Sequence, residues 1–268
     1  MTNVRNPSVA GQFYQASRSG LSKEVASYME GSQKEECLGA VSPHAGYIYS
    51  GMVAGKVLSR IKFKDTFIIL GPNHTGIGAQ FSIMARGYWR TPMGDVKIDS
   101  ELADIILESS KYITEDPSAH ASEHSIEVQL PFLQHIKMDF GFVPIVISNA
   151  DLDTLKDVGS ELADSIKISK KDVVILSSSD MTHYESHESA RDKDKRAIDA
   201  ILDLDENRLQ NEVLSHDISM CGCAPTIVML SALKKLGAKE AELVDYKTSG
   251  DVSGDYSSVV GYAGILIK

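Results

Sequence analysis

Cysteine is scarce in this chain: Cys37, Cys221 and Cys223 are the only three in 268 residues. An odd and sparse set of thiols excludes a disulfide framework and fits a reducing compartment. Long apolar runs are missing too, because stretches such as Phe67-Ile68-Ile69-Leu70 end quickly in glycine, proline or polar residues. Nothing approaches the ~20 apolar residues that span a bilayer, and the opening MTNVRNPSVAGQFYQ has no apolar signal core. A cytoplasmic protein is expected. Basic residues are outnumbered, with 27 Lys and Arg against 37 Asp and Glu for a net charge of −10. Such a field repels phosphate, so neither nucleic acid nor an anionic membrane is an expected partner. No linker rich in proline, glycine or serine, no internal repeat and no low-complexity stretch divides the chain. Residues 1–268 are therefore expected to form a single domain.

What is present is a core-forming composition, 43% hydrophobic and 24% charged. Apolar, β-rich runs predict strands over 38–42, 66–70, 80–85, 140–147, 173–177, 241–246 and 258–267. Between them, helical patterns fall over 50–61, 99–109, 124–136, 152–166, 187–204, 206–215 and 225–236, several behind start signals such as Asp99 and Asp151. The run DVVILSSS implies a strand buried on both faces. The alternation predicts an α/β fold, with a largely parallel or mixed central sheet flanked by helices. The one charge run, from Arg191 to Arg196, mixes signs within a predicted helix and reads as a solvated face.

In open α/β sheets, ligands bind beyond the carboxyl ends of the strands. Three predicted strands run into chemistry-bearing loops: Pro43-His44-Ala45-Gly46, Gly71-Pro72-Asn73-His74-Thr75-Gly76, and Ser179-Asp180-Met181-Thr182-His183. A fourth segment, Met220-Cys221-Gly222-Cys223-Ala224-Pro225, precedes a helix. Imidazole, carboxylate and thiolate at matched topological positions are the groups that coordinate transition metals. Cys221 at a helix start is expected to have a lowered pKa, and so to react near neutral pH when no metal is bound. The competing reading makes Cys221 and Cys223 small buried residues of a tight turn. GPNHTGIG matches neither glycine-rich phosphate-loop spacing. In EHSIEVQLPF, His124 is either a general acid/base oriented by Glu123 or Glu127, or a cap ahead of core residues Val128, Leu130 and Phe132. His120, His135, His187 and His216 lack comparable settings and read as surface or packing residues.

The segments VSPHAGYIYSG, LGPNHTG, EHSIEVQLPFL, SSSDMTHY and CGCAP, in this order, resemble the Memo family. The opening VRNPSVAGQFY and the closing SVVGYAGIL resemble its ends, so the likeness runs through practically the whole chain. Memo proteins in turn resemble class III extradiol dioxygenases, which hold a non-haem iron with two histidines and a glutamate. The resemblance implies an α/β fold of that type, with His44, His74 and Cys221 as metal ligands. It places Asp180 and His183 on the same pocket and His124 in a shared segment. In that picture His183 or His124 transfers protons and Asp180 orients its imidazole partner. The resemblance implies iron(II), and a thiolate in place of a carboxylate moves the preference toward softer ions such as copper(I) or zinc(II); iron(II) and copper are the expected ions, with zinc as a third. The implied ligand is a small molecule or peptide. The implied activity is a metal-dependent, dioxygenase-like redox reaction, with non-catalytic metal handling or protein interaction as the alternative. Many family members have arginine after the Cys-Gly pair, where this chain has Cys223.

Overall fold

The structure is a computed structural model that describes residues 3–29, 31 and 33–268. Its centre is a twelve-stranded sheet. Five parallel strands stand side by side in the order Gly94–Ile98, Gly141–Ile147, Thr66–Pro72, Val173–Ser178 and Gly39–Ser42. Val259–Ile267 then runs antiparallel to Gly39–Ser42, and Ala241–Thr248 pairs antiparallel with Val259–Ile267. The sheet is mixed, with a parallel middle, and helices flank it as the alternation predicts.

Alternate residues of each central strand enter opposite cores, which explains their continuous apolar runs. Val41, Ile68, Val143 and Ile175 face helices Ser100–Ser109, Leu152–Ser169, His187–Leu202 and Cys223–Leu236. Ala40, Phe67, Phe142 and Val174 face helices Arg18–Tyr28, Tyr47–Arg60 and Leu130–Ile136. Every predicted strand is found, with ends shifted by no more than two residues. Asp99 and Asp151 cap their helices by accepting the N–H of Leu102 and Thr154. No helix among the described residues is long and apolar enough to cross a membrane.

One expected helix is corrected. The segment 124–136 is not continuous: a 3₁₀ turn at Glu127–Gln129 precedes a helix that begins only at Leu130. Pro131 has no N–H and clashes with the turn before it, so it suits a first turn and not a helix interior. Upstream, the Glu123 carboxylate accepts the N–H groups of His124 and Ser125 and holds them in a loop. The Tyr88–Thr91 and Gly94–Ile98 hairpin and the helix Arg18–Tyr28 are additions to the expected elements.

Candidate metal centre

The parallel strands Gly39–Ser42, Thr66–Pro72 and Val173–Ser178 end on one side of the sheet, delivering His44, His74 and Asp180 to a common place. Cys221 arrives from the loop ahead of helix Cys223–Leu236. Gly222 makes that approach possible, since a Cβ there would stand 2.4 Å from the Cβ of Ser179. The ligand-capable atoms of His44, His74 and Cys221 lie within 4.8 Å of one another. The adjoining cavity, about 350 Å³, is lined by Phe13, His44, Ala45, Gly46, His74, His124, Asp180, His183, Tyr184, Val260 and Tyr262. Strand order thus closes the 30-residue gap between His44 and His74, and the loop ahead of helix Cys223–Leu236 closes the 147-residue gap to Cys221.

Hydrogen bonding fixes the tautomers of both histidines. Ser178 donates its single hydroxyl proton to Ser125 O at 2.6 Å and accepts Gln129 Nε2 at 2.9 Å. Its remaining contact, His44 Nδ1 at 2.9 Å, must therefore be a hydrogen bond donated by the ring. This leaves His44 Nε2 as a lone pair, 3.2 Å from Cys221 Sγ. His74 Nδ1 meets Glu123 Oε1 at 2.9 Å, which turns its Nε2 away from the carboxylate. Metal-binding histidines are held in this manner, by an acceptor behind the ring.

Burial lowers the His44 pKa well below the ordinary value, and the neighbouring imidazoles of His124 and His74 lower it further. His124 is lowered as well, by burial that outweighs the pull of Glu123. For His74 burial also acts downward, but the hydrogen bond and charge of Glu123 more than offset it, and the net direction is up. Glu123 is held down at about 2: burial acts against ionisation, while His74 and the Ser125 N–H overcome it.

Several expected roles are corrected by the geometry. Burial and the Asp180 carboxylate push the Cys221 thiol up, not down. The first helix amides are not aimed at the sulfur: Gly222 N–H goes to Ser179 Oγ and Cys223 N–H to Met220 O, while the Asp180 N–H, from another segment, points at Sγ at 3.3 Å. Burial likewise raises Cys223 and Cys37 to about 12. All three thiols of the metal-free protein are therefore expected to alkylate at neutral pH at least about tenfold more slowly than free cysteine. Site-resolved mass spectrometry after iodoacetamide treatment checks this, and rapid labelling of Cys221 would contradict it.

Asp180 does not orient an imidazole ring. Its Oδ1 accepts the backbone N–H of His44 at 2.8 Å and of Ala45 at 3.3 Å, so it fixes the loop that carries His44. Its Oδ2 is 4.0 Å from His44 Nε2. Burial raises the Asp180 carboxyl, although these N–H groups oppose the rise. His183 is oriented instead by Ser219 O, which lies 2.9 Å from Nδ1 and leaves Nε2 free.

Glu127 turns away from His124 toward Arg5, while Glu123 serves His74; the Glu123 to His124 Nδ1 distance is 3.6 Å. His124 stacks on His74 with centroids 4.7 Å apart, and Phe13 packs edge-on against it at 4.8 Å. Val128, Leu130 and Phe132 are buried, so the segment serves both pocket and core. His74, Glu123 and His124 form a second cluster of ligand-type atoms. The Glu123 oxygens already accept His74 N–H, His74 Nδ1, His124 N–H and Ser125 N–H, which makes this cluster a hydrogen-bonded hub.

Ser178, Ser219 and Phe13 escaped the sequence reading. The Ser177-Ser178-Ser179 run at a strand end is a usable signal for the first, whereas Phe13 reaches the pocket, and Ser219 reaches His183, by long-range packing alone. His120 is buried against Trp89, at 5.7 Å between centroids, in keeping with a packing role.

The family model described as Memo-like protein matches residues 5–266. The chain is 47% identical over 268 residues to a MEMO1 family protein of Methanosarcina acetivorans, with 99% of each chain covered. It is 44% identical over 279 residues to a MEMO1 family protein of Methanopyrus kandleri, covering 98% of this chain and 99% of that one. Among solved structures it is similar to an uncharacterized protein, JW3007, of Escherichia coli K12, at a TM-score of 0.61 and 12% identity over 87% of this chain and all of that one. That last likeness concerns the fold alone. A family match from Arg5 to Leu266, joined by relatives that align end to end, shows that this chain belongs to the Memo family.

Proposed function

We propose that the pocket is a transition-metal centre in which His44 and His74, through Nε2, and Cys221, through Sγ, hold one ion. The observation that carries this reading is that both imidazoles are held from behind at Nδ1 while ligand-type atoms of His44, His74 and Cys221 lie within 4.8 Å of one another. Two imidazoles and a thiol suit iron(II), copper or zinc, with the sulfur favouring the softer members. When bound, such an ion supplies Lewis acidity and, for iron or copper, electron transfer. The residues beside it support a redox enzyme acting on a small molecule or peptide. His183 offers a free Nε2 to accept a proton, and His124 is held neutral by burial. A site meant only to store or hand over an ion has no need of two further titratable groups on its cavity. Three free cysteines support a cytoplasmic address.

Anaerobic reconstitution with iron(II), copper(I) or zinc(II), followed by oxygen exposure with and without catechols, tests the reading. One bound ion per chain with oxygen uptake and ring cleavage supports the enzyme; binding without turnover favours metal handling; no binding refutes the centre. Asp180→Ala, which removes the acceptor of the His44 and Ala45 N–H groups, is expected to weaken metal affinity by the ~10–100-fold typical of a residue that supports a ligand. A competition titration measures this, and a loss as large as that of His44→Ala would make Asp180 a direct ligand.

A further inference from the structure

The charge run from Arg191 to Arg196 is not wholly a solvated face, because Asp194 at its middle is fully buried. Its Oδ1 accepts the N–H of Thr182 at 2.8 Å, and its Oδ2 accepts the hydroxyl of Tyr246 at 2.7 Å. Thr182 sits between Asp180 and His183 in the loop that enters the pocket. The same loop is tied to strand Val259–Ile267: Met181 N–H donates to Gly261 O, and Gly261 N–H donates to Thr182 O. Gly261 is the crossing point, since a Cβ there would stand 1.9 Å from Asp194 Oδ2 and 3.1 Å from the Cβ of Met181. Only glycine lets the carboxylate pass over the strand to the loop. A buried acid met by two neutral donors is a costly element where a leucine would pack, so its placement calls for a purpose beyond burial.

We propose that Asp194 is a positioning residue, which grips Thr182 N–H across Gly261 and thereby fixes the 180–183 turn that presents Asp180 and His183 to the pocket. Without the carboxylate, Thr182 N–H would be buried with no acceptor, and the turn would have to rearrange to find one. That movement carries His183 away from Ser219 O, the acceptor that holds its proton on Nδ1. Tyr246 steadies the second oxygen from the neighbouring strand Ala241–Thr248. The chemical consequence rests on the metal-centre reading; the positioning itself does not.

The test uses metal-free, ¹⁵N-labelled full chain and side-chain nitrogen NMR of His183, above about pH 8 where an ordinary imidazole is neutral. The wild type is expected to show a single tautomer with the proton on Nδ1. Asp194→Ala should lose it to a tautomer mixture, and Asp194→Asn, which keeps an acceptor for Thr182, should retain it. Gly261→Ala keeps the acid but displaces it, and carries the same expectation as Asp194→Ala should that variant fail to fold. Leu21→Ala, in the core on the other face of the sheet, controls for general destabilisation by lowering Tm without moving the His183 signals. Unchanged His183 signals in Asp194→Ala and Gly261→Ala, or an equal change in Leu21→Ala, overturn the proposal. A metal titration of the wild type separates the two ideas: no ion bound refutes the metal centre alone, whereas ion binding with unmoved His183 in the variants refutes the positioning alone.

Discussion

Replacing Glu127 by glutamine is expected to lower the unfolding free energy by about 3–5 kcal/mol, the range for breaking one partner of a buried ion pair. Glu127 is fully buried against Arg5, whose side chain is 5% exposed. Arg5 also donates to Glu123 O at 2.6 Å and His120 O at 3.0 Å, and its guanidinium lies 4.4 Å from the Trp89 ring centroid. Glu127 in turn accepts Ser8 N–H at 2.8 Å, Val9 N–H at 3.2 Å and Tyr14 hydroxyl at 2.5 Å. The pair therefore sews the amino-terminal segment to the loop that carries Glu123 and His124. A double replacement, Arg5→Met with Glu127→Leu, is expected to recover only part of the loss, because the two N–H groups and the Ser8 and Tyr14 hydroxyls stay without this acceptor. Equilibrium urea unfolding measures both, and a loss under about 1 kcal/mol for Glu127→Gln would contradict the account.

Acid should act on the same loop. Glu123 is held at about 2 in the folded chain against an ordinary 4.5. A depressed carboxyl contributes stability that is present above its unfolded value and is lost as pH falls through the folded one. The contribution of Glu123 is therefore expected to fade between about pH 4.5 and pH 2, with Glu127, also lowered, fading in the same direction.

Removing Cys221 or His44 is expected to have the largest effect on metal affinity, each substitution to alanine costing more than the ~100-fold upper range for a supporting residue. The thiol must lose its proton to coordinate, and burial together with Asp180 makes it hold that proton firmly. Affinity should consequently climb with pH, by about tenfold per unit while one proton is exchanged per ion. His74, whose pKa is raised, adds to the slope at the acid end, whereas His44 is already neutral there. Competition titrations from pH 6 to 8 on wild type, Cys221→Ala and His44→Ala check this. A flat pH dependence in the wild type would take the thiol out of the coordination sphere, and full affinity in Cys221→Ala would do so independently.

The parallel core strands were readable from composition in short windows, because burial on both faces demands runs such as Phe67-Ile68-Ile69-Leu70. The residues placed at their carboxyl ends, His44, His74 and Asp180, followed from the general rule for such sheets. Cys221 and the family as a whole were legible through ordered motifs. Proton placement was not: that Ser178 leaves His44 Nε2 free depends on Ser125 and Gln129, which approach from another segment. The direction of the Cys221 shift is not legible in the sequence either, for a related reason. A helix start in sequence says nothing of where its amides point, and burial is a property of the packed chain. Asp194 is the clearest case, since a charged residue among charged neighbours looks solvated until Gly261 and Thr182, from two other segments, close around it. Local pattern governs which element forms and which face is apolar. Which polar atoms lose water, and what replaces it, is settled only when distant segments meet.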